Sequence, residues 1–462
     1  MPPPRAPRRP ARPAWTGRNY GLLTAAAVVT GLGSSGALVA AAFAVLEAGG
    51  SGTDVGLVAA ARTVPLVLFL LVGGAVADRL PRHRVMVAAN LLNCLSQGAF
   101  GLLVLTGEPG LWQMMLLSAL GGTGHAFFAP AAEGMLLSSV TGEQAGRAFA
   151  FFRMGVNGAN IGGAALGGVL VAAAGPGWVL VLDGAAFAVA AALRAFLDLR
   201  GMPQRAPGRG LVSDLREGWR EVSARPWLWS VVLQFAVVNA VIGAAEAVYG
   251  PLVAEEHLGG ARPWGLALAA LGAGTVLGAL LMTRWKPRRL LLTGALSVFV
   301  LALPSAALAV PVSAPALSAV MFVTGISIEV FGVTWMTALH QEIPEEKLSR
   351  VSSYDMFGSV AMVPVAVALA GPVAGVFGRS AALWGCSALI VLLTAAVLTV
   401  PDVRRLTRRE HGGHGPPADV LAGPAAGPVP AVPGPVPRSG AGDRGESGET
   451  GGTGKAGERG SR

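Results

Sequence analysis

Apolar residues run through this chain in long, nearly unbroken stretches, separated by short polar or basic segments. A helix that crosses a bilayer needs about 20 mostly apolar residues. By that measure the sequence predicts spans over 21–46, 55–77, 85–105, 111–136, 148–174 and 178–196, then a break, then 228–251, 264–282, 290–310, 316–339, 352–376 and 382–400. The fifth stretch is rich in glycine and the sixth contains Asp183, so these two interrupt the pattern most. Twelve spans are expected, with eleven as the neighbouring alternative.

Composition strengthens this picture. Of 462 residues, 53% are hydrophobic and only 13% charged, against roughly 25% charged in soluble domains. The 65 glycines suit helices that pack closely where lipid gives little hydrophobic drive for association. Cys94 and Cys386 both fall in apolar runs and form neither a metal spacing nor a disulfide framework. The fold class expected is an all-α integral membrane protein with about twelve transmembrane helices in two related six-helix bundles.

The formal charge of +9 suggests nucleic acid until the cations are placed. Arg79, Arg82 and Arg84, then Arg147, then Arg284, Lys286, Arg288 and Arg289, then Lys347 and Arg350 all fall in loops on one side. Arg5, Arg8, Arg9, Arg12 and Arg18 of the N-terminal tail, with Arg404, Arg405, Arg408 and Arg409 after the last span, share that side. The opposite loops hold little beyond Arg262 and Arg379. The positive-inside rule makes the basic side cytoplasmic, with both termini inside a plasma membrane. The basic balance is therefore topology, and no nucleic-acid partner is expected.

Five segments follow: a basic tail (1–18), a first bundle (19–198), a linker (199–227), a second bundle (228–401) and a tail (402–462). The N-terminal tail is read as a tail before a first span and not as a cleaved signal, because the apolar run after it is too long for one. In the linker, Leu211, Leu215, Trp219 and Val222 share one face of a helical pattern, which fits a helix on the membrane surface or a plain connector. The last segment is rich in Gly, Pro and charge and is expected to be disordered.

The two halves echo each other. Gly73 to Arg84 aligns with Gly278 to Arg289, so that Gly73 meets Gly278, Arg79 meets Arg284 and Arg84 meets Arg289. Glu143, Arg147 and Gly155 likewise match Glu346, Arg350 and Gly358. Duplicated six-helix units underlie several transporter folds, with the substrate site near the midplane between them.

The segment Gly74-Ala-Val-Ala-Asp78-Arg79-Leu-Pro81-Arg82-His83-Arg84 resembles the G-x-x-x-D-R-x-G-R-[RK] loop of the major facilitator superfamily. Pro81 stands in place of the second glycine and His83 at a basic position. The resemblance covers most of 21–400. His125 to Ala131, Asp214 to Trp219 and Ile343 to Arg350 are similar to the macrolide-efflux and enterobactin-exporter branch, usually described as drug/proton antiporters. It implies that Gly74, Asp78, Arg79, Arg82 and Arg84 form a conformational latch at the seam between halves. Gly163-Ala164-Ala-Leu-Gly167-Gly168 resembles that family's antiporter motif G-P-x-x-G-G, with Ala164 replacing the proline.

Ionisable residues inside spans are costly and are site candidates by default. Arg62 and Asp183 lie at similar depth in spans two and six, where they either pair or leave Arg62 to a wet cavity. Glu246 in the outer part of span seven and Glu329 near the middle of span ten are the proton-carrier candidates, alongside Asp183, because low dielectric favours a protonated carboxylate. The bland readings put Glu246 at the headgroup boundary and Glu329 on hydroxyls such as that of Thr324. His125 is either a relay or substrate contact, or a packing histidine. Arg153 and Asn157, one turn apart, either line the seam or bond neighbouring backbone. Phe127, Phe128 and Trp335 are pocket or packing aromatics.

The expected function is secondary active transport: proton-coupled efflux of small apolar or amphipathic molecules by alternating access. The expected partners are such a substrate, protons or another coupling ion, and lipid. No enzyme activity, cofactor or metal is expected, and the chain is expected to be monomeric. The alternatives are a proton-linked importer of a nutrient or siderophore, separable by proton flux in oriented vesicles, and a transport-dead sensor or scaffold, which would ignore Glu329→Gln and Asp78→Asn.

Overall fold

The computed structural model describes residues 17–79, 81–107, 109–139, 145–197, 220–310 and 312–408. The first half is α1 (Arg18–Glu47), α2 (Gly52–Arg79), α3 (Arg82–Leu105), α4 (Leu111–Ser139), α5 (Ala145–Ala174) and α6 (Pro176–Ala195). The second half is α7 (Pro226–Leu258), α8 (Ala261–Arg284), α9 (Leu290–Ala309), α10 (Ala314–Glu342), α11 (Glu345–Val360 continued by Val363–Phe377) and α12 (Arg379–Val397). A short α13 (Pro401–Arg405) follows. Among the described residues there is no strand, only one isolated bridge.

Eleven of these helices are long and apolar enough to cross a membrane. The twelfth is α4, whose 29 residues suffice in length at 1.5 Å per residue but are diluted by Gln113, His125 and four glycines. The interruption thus falls on the fourth helix, while α5 and α6 run unbroken.

The sequence echo is matched in three dimensions. In the first half α2 packs on α4, α3 on α6 and α4, and α1 on α5; in the second, α8 packs on α10, α9 on α12 and α10, and α7 on α11. The halves differ in regularity. α7 passes through π-helical turns at Ala245–Tyr249 and Ala254–Leu258, α9 through a 3₁₀ turn at Phe299–Ala302, and α11 breaks at Ala361–Met362. Pro251, Pro304 and Pro364 lie just beyond the first π turn, the 3₁₀ turn and the break. Each lacks the N–H that would close the preceding turn, so the local hydrogen-bond register changes there.

The chain enters α1 and leaves α12 at the same end of the bundle, here the terminus side; the opposite end is the far side. One apolar core cluster crosses between the halves, joining Phe43, Val45, Val55 and Val58 to Val248, Trp264, Val367 and Ala370. Residues 211–219 and 409–462, including the proposed linker face and tail, lie outside the described residues; of the linker face only Val222 is described, and it is buried.

Candidate functional site

Two helix pairs form the seam between halves, α5 with α8 and α2 with α11. Glycines set how closely they approach. A methyl group on Gly168 would sit 2.7 Å from the Ala261 carbonyl oxygen and 2.9 Å from the Gly265 Cα. One on Gly56 would meet the Val367 carbonyl oxygen at 2.7 Å, and Gly371 approaches the Thr53 backbone even more closely. Gly163 and Gly167 face Leu32 and Gly36 of α1 instead. The three motif glycines of α5 therefore hold it against α1 and the opposite half together. Ala164 takes part: its carbonyl oxygen is 2.5 Å from where a Gly265 Cβ would be. These contacts lie in the far part of the helices, since α2 and α8 start there and α5 and α11 end there.

Toward the terminus side the seam holds charge. Arg153 on α5 is exposed and Asn157, a turn further on, is half-buried. Glu329 on α10 is half-buried against Gly278, where an added methyl would meet its Cβ at 2.8 Å. Arg153 and Glu329 are near enough for their charges to interact across the seam. Gly278 is one end of the sequence echo, and its smallness makes room for Glu329.

Within the first bundle, Asp183 is fully buried and accepts a 3.1 Å hydrogen bond from Ser34 Oγ, while its other oxygen has no partner. Arg62 lies close enough to interact electrostatically with both Asp183 and His125. Arg62 and Asp183 form no direct ion pair, and their interaction is electrostatic at longer range. Asp183 sits seven residues and Arg62 ten residues from the far ends of their helices, a depth difference of about 4–5 Å. His125 is half-buried, with a buried and unbonded Nδ1, and is tilted against Phe128 at 6.4 Å. Beside it, α3 turns a polar face inward: Asn90, Asn93 and Gln97 are all buried, and Asn90 has no partner at either side-chain atom.

Within the second bundle, Glu246 lies in the first π turn of α7. The helix continues to Leu258 rather than ending near 251, so Glu246 is twelve residues, roughly 18 Å, from its far end. That corrects its expected place in the outer part of the span: the charges of Glu255 and Glu256 suggest a loop, but both belong to the helix. Glu246 borders a narrow cavity with Trp264, Ser305, Met321 and Thr324, with about 20 Å³ open to a water-sized sphere, room for about one water. Thr324, expected as a neighbour of Glu329, lines the Glu246 cavity and donates to the Val320 carbonyl oxygen.

The aromatic candidates are packed. Phe127 stacks on Phe69 at 5.7 Å. Phe128 lies under the Arg194 guanidinium at 4.5 Å. Trp335 donates from Nε1 to Asp355 and meets Trp227 edge-on. Arg194, Ser34, Asp355 and the α3 amides are additions to the sequence reading. The spacing of Asn90, Asn93 and Gln97, three and four residues apart, is the signal that marks the last of these. The side chains of Gly74, Asp78, Arg79 and Arg82 lie outside the described residues. Their backbone places the first three at the end of α2 and Arg82 at the start of α3, and Arg84 is exposed. The second echo, at Glu143, Arg147, Glu346 and Arg350, also falls on side chains outside the described residues.

Two related six-helix bundles with charged residues at a shared seam define a multi-pass membrane transporter. The model of the Major Facilitator Superfamily matches residues 23–363, and the chain belongs to that family. It is 28% identical over 407 residues to the "Multidrug efflux pump Tap" of Mycolicibacterium fortuitum, covering 83% of this chain and 96% of that protein. A Tap pump of Mycobacterium tuberculosis (strain ATCC 25618 / H37Rv) is 26% identical, with 83% and 94% covered. The MFS-type transporter YfiS of Bacillus subtilis (strain 168) is 24% identical, with 78% and 89% covered. Among solved structures, the nucleoside transporter NupG superposes with a TM-score of 0.61 at 12% identity, covering 82% of this chain and 98% of that one. A POT-family transporter bound to 5-aminolevulinic acid gives a TM-score of 0.67 at 11% identity, with 84% and 96% covered. These last two likenesses are of fold.

Proposed function

We propose that the chain is a proton-coupled exporter of small apolar or amphipathic molecules that works by alternating access, with its termini and basic loops in the cytoplasm. The Tap relatives, described as multidrug efflux pumps, support export. The observation that carries the mechanism is the asymmetry of the seam: glycine-backed contacts at the far end, and an exposed Arg153 facing Glu329 toward the terminus side. This asymmetry supports reading the far end as the closed, outer side and the terminus side as the cytoplasmic entry. Substrate enters from the cytoplasmic side and the seam rocks about α5–α8 and α2–α11. Asp78 and the neighbouring Gly74, Arg79, Arg82 and Arg84 latch the outward-facing state.

Glu329 and Glu246 are the proposed proton carriers. Both are half-buried, neither has a cation bonded to it among the described residues, and a carboxylate inside a span without one is neutralised most cheaply by a proton. A proton taken up from outside favours closure of the outer end, and its release to the cytoplasm lets substrate bind. Asp183, with Ser34, Arg62 and His125, forms a fixed polar centre in the first bundle.

The test is accumulation of a fluorescent lipophilic dye in cells expressing the protein. Wild type is expected to lower dye accumulation, a proton uncoupler to restore it, and Glu329→Gln to behave as the empty vector. Raised accumulation on expression would replace export with import. Unchanged accumulation across a broad compound panel would favour the scaffold.

A further inference from the structure

We propose that the terminus-side face of the second bundle holds a binding site for a phosphate group, and that its occupant is the headgroup of an anionic phospholipid. After α12 the chain turns back on itself. Val403 of α13 is fully buried against the bundle. Residues 406–408 then run antiparallel to 288–290: Leu290 N donates to Leu406 O at 3.2 Å, Arg408 N donates to Arg288 O at 2.7 Å, and Arg289 bridges Thr407. Gln341 Nε2 adds a 2.8 Å bond to the Thr407 carbonyl oxygen. This clamp joins the loop after α8 to the chain after α12.

Its consequence is chemical. Arg289, Arg404, Arg405 and Thr407 line an open basin of about 380 Å³, and no carboxylate is among these lining residues. Three other described surface cations have acids close by: Arg379 meets Glu256 at 2.6 Å, and Lys347 and Arg225 share Glu221. In the same strand, Arg408 carries a buried Nε with no hydrogen-bond partner. Arginines gathered in this way repel one another until an anion neutralises them. Planar guanidinium forks with a hydroxyl are a donor set for a tetrahedral phosphate.

The position selects lipid over solute. The basin lies just past the ends of α8 and α12, and at the end of α8 Arg284 and the half-exposed Trp285 stand side by side. Tryptophan with arginine at a helix end marks the headgroup level of a bilayer. Basic pockets at that level take anionic headgroups. The proposal rests on the fold and the clamp, and is independent of transport direction or coupling.

The experiment is thermal unfolding of the purified full-length protein in mild detergent, titrated with phosphatidylglycerol, phosphatidylcholine or inorganic phosphate. Phosphatidylglycerol is expected to raise the Tm saturably, while phosphatidylcholine and millimolar inorganic phosphate do not. Each arginine replaced should weaken the apparent affinity about five-fold, so Arg404→Gln with Arg405→Gln gives roughly a 25-fold loss. Arg262→Gln, one charge fewer at the opposite end of α8, should leave it unchanged. If the double variant cannot be purified, Arg405→Lys should give an intermediate loss, because it keeps the charge and removes the fork. An undiminished phosphatidylglycerol response in these basin variants overturns the site. A Tm rise with inorganic phosphate equal to that with phosphatidylglycerol overturns the lipid assignment in favour of a soluble phosphate compound.

Discussion

The two bundles share a helix-packing plan and treat charge in opposite ways. The first gathers Arg62, His125 and Asp183 with Ser34 and the α3 amides, so a buried carboxylate has a hydroxyl bonded to it and a cation nearby. In the second, Glu246 borders a mostly apolar cavity, and the cation that interacts with Glu329 is Arg153 of the other bundle. The shared packing plan thus carries a clustered polar centre in the first half and separated carboxylates in the second. The backbones follow suit, with continuous helices in the first half and proline-linked irregularities in the second.

The comparison breaks first at Glu329. Glu329→Gln should lower uncoupler-sensitive efflux at least tenfold, with protein abundance at the membrane unchanged, while Asp183→Asn should retain more transport. Equal losses in both would erase the distinction between the halves. The far-end seam comes next. Gly168→Val would wedge the α5–α8 contact at a cost of about 1–3 kcal/mol, shifting the balance toward an open far end by roughly 5- to 150-fold. Labelling of an introduced far-end cysteine should quicken by a factor in that range.

A smaller effect concerns stability. Asp183→Asn leaves Arg62 without its neighbour and should destabilise the protein by roughly 2 kcal/mol. Adding Arg62→Gln should recover part of that, and thermal unfolding of the double-mutant cycle reads the coupling.

The smallest lies outside the membrane. Lys347 and Arg225 hold the Glu221 carboxyl below its ordinary value of 4.5 by hydrogen bonding and charge. A carboxylate lowered in the folded state stabilises above its unfolded value and loses that contribution as pH falls through the folded one. Glu221→Gln should therefore lower the Tm by about 1–2 °C at neutral pH. The difference should vanish well below pH 4.5.

The spans were legible because each apolar run is as long as a bilayer is thick, and the duplication because Gly278 and Arg284 repeat Gly73 and Arg79 in register. Depth was less legible. Glu255, Glu256 and His257 are polar enough to end an apolar run, yet they form the end of α7, where Arg379 engages Glu256 and lies 3.3 Å from His257. The longer helix, invisible to hydropathy, places Glu246 further from the far end. Ser34 carries no signal of its own, since a serine beside glycines in a span is ordinary; it matters only because α1 and α6 bring it to Asp183. For Trp335 the sequence leaves pocket and packing open, and the Asp355 bonded to its indole nitrogen is what hydropathy does not reveal.

In the proposed export cycle a proton neutralises the carboxylates of the second bundle. Purified protein in proteoliposomes with a preformed acid interior tests it most directly, through an internal pH dye read on substrate addition. Substrate should dissipate the gradient in wild type and leave it intact in the Glu246→Gln, Glu329→Gln double variant. Substrate movement with no proton release, or undiminished release from that variant, would contradict it.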